Sequence, residues 1–270
     1  MTFSPIVPFG GYSGWAFLKR TLPTQRAAFD TTATLKRNED YFRKNIGKVN
    51  TAEALVADRR LLEVALGAYG LEADINNKFF IKKVLSDGTL NTNALSNRLA
   101  NKQYEKLSAA FGFGDFSTPS NKLSDFADKT LALFKQRQFE AAVGDQNGDY
   151  RIALNAEREL PAVAAKSGSE DTLWYTVLGN IPLRRVFERA LGLPASFGSI
   201  DLDQQLSTMK ARLESRYGSD SVRQFSDPAK VESIIRRFLV QSDVSASGQS
   251  SSASSALQLL QSGGFRARSR

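Results

Sequence analysis

The chain has no cysteine and no histidine among its 270 residues. The missing histidine excludes the Ser-His-Asp and Cys-His nucleophile systems, because each needs an imidazole as its base. Together the two absences exclude zinc sites built on either residue, Glu-x-x-His di-iron bundles, disulfides, and haem held by either side chain. Carboxylate, lysine, tyrosine and backbone chemistry remain open. The sequence predicts no metal and no cofactor, and we expect a protein that is not an enzyme.

Long apolar runs are also missing. Nothing approaches the ~18 uninterrupted apolar residues that a bilayer-spanning helix needs. The first residues carry no basic side chain before Lys19, and Pro5 and Pro8 interrupt their apolar stretch, unlike a secretory signal. We therefore expect a chain that is cytoplasmic when synthesised and that does not insert into membranes.

Negative charge is in the minority. The chain has 36 Lys and Arg against 28 Asp and Glu, a net charge of +8. A long-range positive field favours nucleic acid, anionic lipid or an acidic protein as a partner. The basic residues are interleaved with acids on the same predicted helices, however, which is typical of a solvated surface.

Apolar residues recur every three or four positions almost throughout, and no run alternates as a strand would. Side chains suited to helix capping divide the chain into segments. The predicted helices begin at Asn38, Thr51, Asn76, the stretch 91–93, Thr118, Asp149, Ser169, Asn180, Asp201 and Asp227. Four glycines are predicted to end helices: Gly47, Gly70, Gly144 and Gly192. The fold class is therefore predicted to be all-α, as a multi-helix bundle.

One phrase occurs twice, as LLEVALGAYGLE at 61–72 and as LRRVFERALGLP at 183–194. A shift of 122 residues places Gly70 over Gly192 and aligns the apolar positions of both phrases. Upstream, the match changes to a shift of 97, which implies a 25-residue insertion holding the helix EDTLWYTVL. We interpret the phrase as core and cap positions of a duplicated unit. Convergence is the alternative, because any amphipathic helix ending at glycine matches a few apolar positions.

This interpretation divides the chain into four parts. Residues 1–20 are an N-terminal docking segment, and residues 21–116 are a first helical unit. Residues 117–241 are a second unit, which alternatively forms one continuous domain with the first. Residues 242–270 are a Ser-rich, flexible and basic tail.

The candidate metal-binding, nucleotide-binding and catalytic motifs in the sequence are incomplete. DQNGD at 145–149 resembles the start of a calcium loop, but Tyr150 and Ala156 occupy its glycine and bidentate glutamate positions. FGFGD at 111–115 lacks a third glycine and a preceding strand. Glu157 and Glu159 are two residues apart on a predicted helix and so point to different faces. An enclosed pocket with converging acids would nevertheless favour an enzyme using carboxylates or lysine.

The two ends of the chain are the candidate partner-binding segments. The glycine-rich start carries the aromatic residues Tyr12, Trp15 and Phe17, which either dock on the parent bundle or form an exposed docking peptide. The other end carries Arg266, Arg268 and Arg270, which could attract an anionic partner.

Several stretches of the first half resemble a known family. They are GYSGWAFLKRT, YFRKNI, ALVADRRLLEVALGAYGLEADI, FFIKKVLSDGTLN and LSNRLANKQYEKLSAAFGF. This wording resembles an uncharacterised α-helical domain family of alphaproteobacteria, often encoded among flagellar genes and sometimes present in several copies per chain. The resemblance is strongest from Gly11 to Gly114 and weaker from about Leu131 to Gln241. It implies a helical fold and a link to motility, with no catalytic residues to transfer.

The expected function is therefore non-enzymatic. We expect a flagellum-associated helical protein acting in assembly, structure or regulation through contacts with flagellar or motility proteins. Export through the flagellar machinery is compatible with the missing cleaved signal.

The alternative is a nucleic-acid-binding regulator that uses the basic surface and tail. Its candidate recognition helix, AKVESIIRRFLVQ, offers Lys230, Arg236, Arg237 and Gln241 mixed with Glu232.

Overall fold

The computed structural model describes residues 3–262, with the backbone alone of residue 195 and of residues 246–262. This part of the chain is all-helical and contains no strand, which confirms the predicted fold class. Its helices are α1 (Gly11–Asp30), α2 (Ala33–Asn45), α3 (Ala52–Ala57), α4 (Arg59–Tyr69), α5 (Lys78–Asp87), α6 (Leu95–Arg98), α7 (Gln103–Phe111), α8 (Phe126–Gln146), α9 (Gly148–Ala164), α10 (Glu170–Leu178), α11 (Ile181–Ala190), α12 (Leu202–Tyr217) and α13 (Pro228–Ser262). None of them is both long and apolar enough to cross a bilayer.

The helices enclose two apolar cores that share α8. The first core is formed by α2 to α5, α7 and the beginning of α8, where Leu131 and Phe134 are buried. The second is formed by α1, the end of α8 and α9 to α13, with Trp174 and Phe187 at its centre. Phe29 packs against both cores. Helix α8 therefore contributes buried side chains to both cores.

This arrangement differs from the predicted domain boundaries. The boundary at residue 20 falls inside α1, whose Trp15 and Leu18 belong to the second core. The boundary between residues 116 and 117 precedes α8, whose first half belongs to the first core. Periodicity locates helices along the chain but does not show which core each helix joins, because that depends on long-range packing.

Two long predicted helices are interrupted. The segment from Thr51 to Gly70 breaks at Asp58, whose backbone is extended and whose carboxylate accepts hydrogen bonds from the amides of Arg60 and Leu61. Aspartate favours such local bonds over a continuous helix, so Asp58 ends α3 and caps α4. The segment after residue 93 likewise divides into α6 and α7.

Other predicted boundaries also shift. Asn38 lies inside α2 and Gly144 inside α8, while Gly47 lies in a short 3-10 helix at Ile46–Lys48. The helix expected after Thr118 begins only at Phe126. Leu123 and Leu202 fit the apolar periodicity of the helices predicted from Thr118 and Asp201, which predicts that they face the core, but they are exposed by 62% and 50%. Both lie at or before helix starts, where periodicity no longer fixes a face.

The C-terminal segment differs most from the prediction. The stretch expected to be flexible from Ser242 continues α13 as far as Ser262. Packing of the helix start provides the costly nucleus, after which each residue adds a hydrogen bond. The segment has no proline, and Ser242 is buried, accepting a hydrogen bond of 2.7 Å from Arg189.

The repeated phrase forms the same structure twice. Asp58 and Asn180, also 122 residues apart, cap α4 and α11 by accepting from the amide three residues later. Both helices close the same way: the Leu71 amide bonds the Leu66 carbonyl, and the Leu193 amide bonds the Glu188 carbonyl. Gly70 and Gly192, which directly precede these two leucines, lie in the left-handed region of backbone conformation. The phrase is therefore structural, and the duplication itself stays a prediction.

The element order changes the predicted insertion. At the shift of 122 residues, α3 falls on α10, and each packs against the next two helices, α4 and α5 or α11 and α12. The helix EDTLWYTVL is α10 and so has a counterpart. At the same shift, α9 falls on residues 26–42 and so overlaps α2.

The two glycines allow a matched test. Gly70 and Gly192 have φ of 71° and 68°, so alanine at either position is strained by about 1 kcal/mol. At Gly70 a Cβ atom would also lie 2.5 Å from Nη1 of Arg137, whereas nothing lies within 4 Å at Gly192. We expect Gly70→Ala to lower the free energy of unfolding by about 2 kcal/mol or more, and Gly192→Ala by about 1 kcal/mol, in urea titrations. Equal losses would show that Arg137 moves aside freely.

Candidate functional site

A cleft of about 540 Å³ lies between the two halves of the described chain. One wall comes from the end of α4 and the start of α7, and the floor from α8 and α9. The opposite wall comes from α10 and the start of α11. Ile152, Val163 and Ile181 supply apolar lining, while Lys102, Arg151 and Lys166 supply positive charge.

A network of charged side chains extends from the floor of this cleft, which Arg137, Glu140 and Glu159 line, to Arg158, which lines a separate pocket beside Lys19. Arg158 binds Glu140 through two parallel bonds of 2.9 and 3.0 Å and also pairs with Glu159. Glu159 further pairs with Lys106 at 3.1 Å and with Arg137 at 3.5 Å. The side chains of Glu140 and Glu159 are each 7% exposed, so this network is largely removed from water.

The environment shifts the pKa values of three members of this network. Burial acts to raise the pKa of Glu159, but Lys106 and Arg158 outweigh it, so that pKa lies below its ordinary value. Burial and repulsion by Arg158 lower the pKa of Arg137. Burial opposes the charge on Arg158, but its bonds to Glu140 raise its pKa overall. The network therefore holds Glu159 as a carboxylate.

Two acids thus converge in the cleft, the arrangement expected of a carboxylate enzyme. Glu140 and Glu159 are both held by cations, however, and Glu159 has no proton to donate near neutral pH. Glu157 lies on another face of α9 and pairs with Lys19. This chemistry suits binding better than acid–base catalysis.

The predicted aromatic residues face the body of the protein. Trp15 is fully buried, and its indole nitrogen donates to Glu232 at 3.2 Å. Tyr12 donates to the same carboxylate at 3.0 Å, which raises the pKa of the tyrosine. Phe17 is half-buried with its ring edge-on to Phe9. Of the two alternatives for this segment, the structure has the one in which it docks on the parent bundle.

The predicted basic residues are dispersed. Arg266, Arg268 and Arg270 lie outside the described residues. Arg236 stacks on the ring of Tyr12, and Arg237 donates to the carbonyl of Ala190. Two of the three cations of the candidate recognition helix, Arg236 and Arg237, therefore make contacts within the fold.

The calcium-like motif is a helix cap. The side chain of Asn147 accepts from the amide of Asp149, and Asp149 pairs with Arg189 at 3.1 Å. Within residues 3–262, no three acidic side chains converge in a way that could hold a metal ion.

A second surface feature is a group of exposed apolar side chains on the loops of the first half. Leu90, Phe116 and Leu123, which we call the loop patch, are exposed by 71%, 53% and 62%. Asp115 ties the loops together by accepting from the amides of Thr89 and Leu90 at 2.7 and 2.9 Å. Sequence periodicity missed this patch because loops have none.

The contribution of Asp115 to the stability of the fold is expected to depend on pH. Burial acts to raise its pKa, but the amides of Leu90 and Thr89 lower it overall. A depressed carboxyl pKa stabilises the fold above the unfolded-state value of about 3.9, and this contribution is lost as pH falls through the folded-state pKa. We expect Asp115→Asn to cost about 1 kcal/mol at about pH 6, and the gap to the natural protein to narrow as pH falls below about 3.9, in urea titrations. A cost independent of pH would contradict this role.

The cleft and the loop patch lie in a part of the chain that matches a known protein family. Residues 68–231 match the family described as "Protein of unknown function (DUF1217)", over more than half of the chain. The chain belongs to this family. The match runs across both halves, so the whole cleft and the loop patch lie inside the DUF1217 region.

A solved structure shows the same fold. Protein AGR_C_984 from Agrobacterium tumefaciens, known from an X-ray crystal structure, superposes with a TM-score of 0.71 at 23% identity. The match covers 88% of this chain and 97% of that one, so the shared fold extends beyond the DUF1217 region. The search of curated proteins found no match.

The charged network was not found from the sequence. The partners of Glu159 are Lys106, Arg137 and Arg158, which lie on three different helices far apart in the sequence. The local signal for the network is the succession of an acid, a base and an acid at 157–159 on an amphipathic helix.

Proposed function

We propose that this DUF1217 protein is a non-enzymatic component of the bacterial flagellum or motility apparatus that acts through protein–protein contacts. The link to motility is supported by the resemblance of its first half to domains often encoded among flagellar genes. The mode of action is supported by the loop patch, because exposed apolar groups on a folded surface are typical of interaction sites.

The position of the loop patch favours a preformed docking surface. The ring of Phe116 lies over Gly112, where a Cβ atom would come within 2.7 Å of it. The Asp115 bonds fix the neighbouring loop at Leu90. A surface held in this way loses little conformational entropy on binding, which favours affinity.

Pull-down from motile cells tests the proposal. We expect the natural chain to recover flagellar structural, export or motor proteins, and the double variant Phe116→Ser with Leu123→Ser to lose them. Phe79→Ser is the matched control, because Phe79 is 79% exposed at the start of α5, whereas the loop that carries Leu90 follows the end of this helix, which is roughly 15 Å long. Equal recovery by all three chains would contradict the role of the patch, and normal swimming of a deletion strain would contradict the link to motility.

The net charge of +8 supports the second candidate, a nucleic-acid-binding regulator. Titration against duplex DNA at two salt concentrations tests it, because phosphate contacts weaken steeply as salt rises. Absence of binding at low salt would exclude this function.

A further inference from the structure

The floor of the cleft carries more positive than negative charge. Lys106, Arg137 and Arg158 all face the carboxylate of Glu159, and Arg158 also binds Glu140. Glu72 is the third carboxylate of this region; it pairs with Arg151 and, like Glu140, attracts Arg137 electrostatically. Four cations thus share three carboxylates, and one positive charge remains without a full counter-charge. A buried charge of this kind is costly unless it is paired and hydrogen-bonded.

Arg137 is the cation least well compensated. Its contacts to Gln103 and Glu159 are long, at 3.4 and 3.5 Å, and its Nε is buried without a hydrogen-bond partner. The guanidinium side chain is 14% exposed and lines the cleft. Guanidinium groups form their strongest bonds with planar anions such as carboxylates.

The shape of the cleft adds a second requirement. Its volume of about 540 Å³ is in the range of small-molecule sites, and Ile152, Val163 and Ile181 give it an apolar surface. Asn155 lines the same space, and its side-chain oxygen has no partner among the described residues; since this oxygen accepts, it suits an N–H or O–H donor on the ligand. A ligand that matches these walls has an apolar body and an anionic group.

We propose that the cleft binds a small amphipathic anion, whose carboxylate or sulfonate group pairs with Arg137 and Lys106 and whose apolar body lies against Ile152, Val163 and Ile181. The ligand bridges the two halves of the protein, because Lys106 belongs to α7 and Ile181 to α11. This binding activity is independent of the loop patch and goes beyond the proposed role in motility.

Two fluorescent probes of the same shape test the proposal. Anilinonaphthalene sulfonate carries an anionic group on an apolar body, and N-phenylnaphthylamine is the same body without the charge. We expect the natural protein to bind the sulfonate in a saturable way and at least about fivefold more tightly than the neutral probe, because the cations favour the anion. A neutral probe that binds as tightly would overturn the proposal.

Three variants locate the probe. Ala162 is exposed on the cleft wall, so Ala162→Trp fills the cleft and is expected to weaken the sulfonate about tenfold. Ala211→Trp on the exposed face of α12 is the matched control and should leave binding unchanged. Lys106→Gln removes one cation and should weaken the sulfonate about fivefold while sparing the neutral probe.

Unfolding midpoints are measured for every variant, so that loss of binding is compared among equally folded proteins. If Ala162→Trp binds the sulfonate as well as Ala211→Trp does, the probe lies elsewhere and the proposal is wrong. Loss of both probes equally in Lys106→Gln would also overturn the assignment of the anionic group.

Discussion

Replacing Arg158 with alanine is expected to lower the free energy of unfolding by about 3–5 kcal/mol. The side chain is 16% exposed and makes the paired bonds to Glu140 that fix the floor of the cleft. Its removal leaves Glu140 with a long bond from Gln136 as its remaining contact in the described residues. A buried carboxylate without a cation is far more costly than the same residue paired. Urea titration at neutral pH measures the loss.

The pH dependence separates this cause from a simple loss of packing. Arg158 is one of the cations that, after Lys106, hold the pKa of Glu159 below its ordinary value, so this pKa is higher in Arg158→Ala than in the natural protein. A higher carboxyl pKa means that the folded variant binds protons more readily than the natural protein does as pH falls. We therefore expect the deficit of Arg158→Ala to shrink as pH falls from neutral towards the ordinary carboxyl range of about 4.3.

Two further variants complete this test. Arg43→Ala removes an exposed ion pair with Glu39 and Asp128, and we expect it to cost less than about 1 kcal/mol. Replacing the pair by Glu140→Leu with Arg158→Met should recover at least half of the loss, because Glu159 keeps Lys106 and Arg137. If Arg158→Ala costs no more than Arg43→Ala, the network is effectively solvated.

Local signals predicted the helices and several of their caps. Ser169, Asn180, Asp201 and Asp227 all begin helices as expected, because each side chain bonds to an amide within the next turn. Gly70 and Gly192 end them, because a left-handed residue closes the last turn. Such features depend on four or five consecutive residues and can be read directly from the sequence.

The cleft could not be predicted in this way. Its floor joins Lys106, Arg137 and Glu159, which are brought together only because α8 is shared between the two cores. Amphipathic periodicity assigns such residues to a polar face and treats that face as solvated. The network arises where the polar faces of α7, α8 and α9 meet, which is a property of the packing of helices.

The position of the aromatic residues at the start of the chain also could not be predicted from local sequence patterns. The composition of this segment is compatible with either an exposed docking peptide or a part of the core. The choice depends on a contact that is distant in the sequence, because Trp15 donates its hydrogen bond to Glu232, 217 residues away. Gln25 adds a local clamp by bonding both the amide and the carbonyl of Ile6. The segment is thus held both before α1, at Ile6, and within α1, at Trp15.

Trp15→Ala is accordingly expected to destabilise the protein by about 3–5 kcal/mol, the usual cost of removing a fully buried aromatic side chain. The cavity would open beside Tyr150, whose ring centre lies 6.5 Å from that of Trp15. The substitution would also remove the hydrogen bond from the indole to Glu232, while the hydrogen bond from Tyr12 to this carboxylate would stay. Thermal and urea unfolding measure the effect.

The neighbouring aromatics provide the controls that decide between the two interpretations. Tyr12→Phe removes one hydrogen bond and should cost about 1 kcal/mol, and Phe17→Ala, at a half-buried position, should cost about 1 kcal/mol as well. A docking peptide would behave differently: Trp15→Ala would leave unfolding unchanged and abolish recovery of partners in the pull-down. The burial of Trp15 and its bond to α13 favour the first outcome, because a side chain that is inaccessible in the folded protein cannot contact a partner without local unfolding.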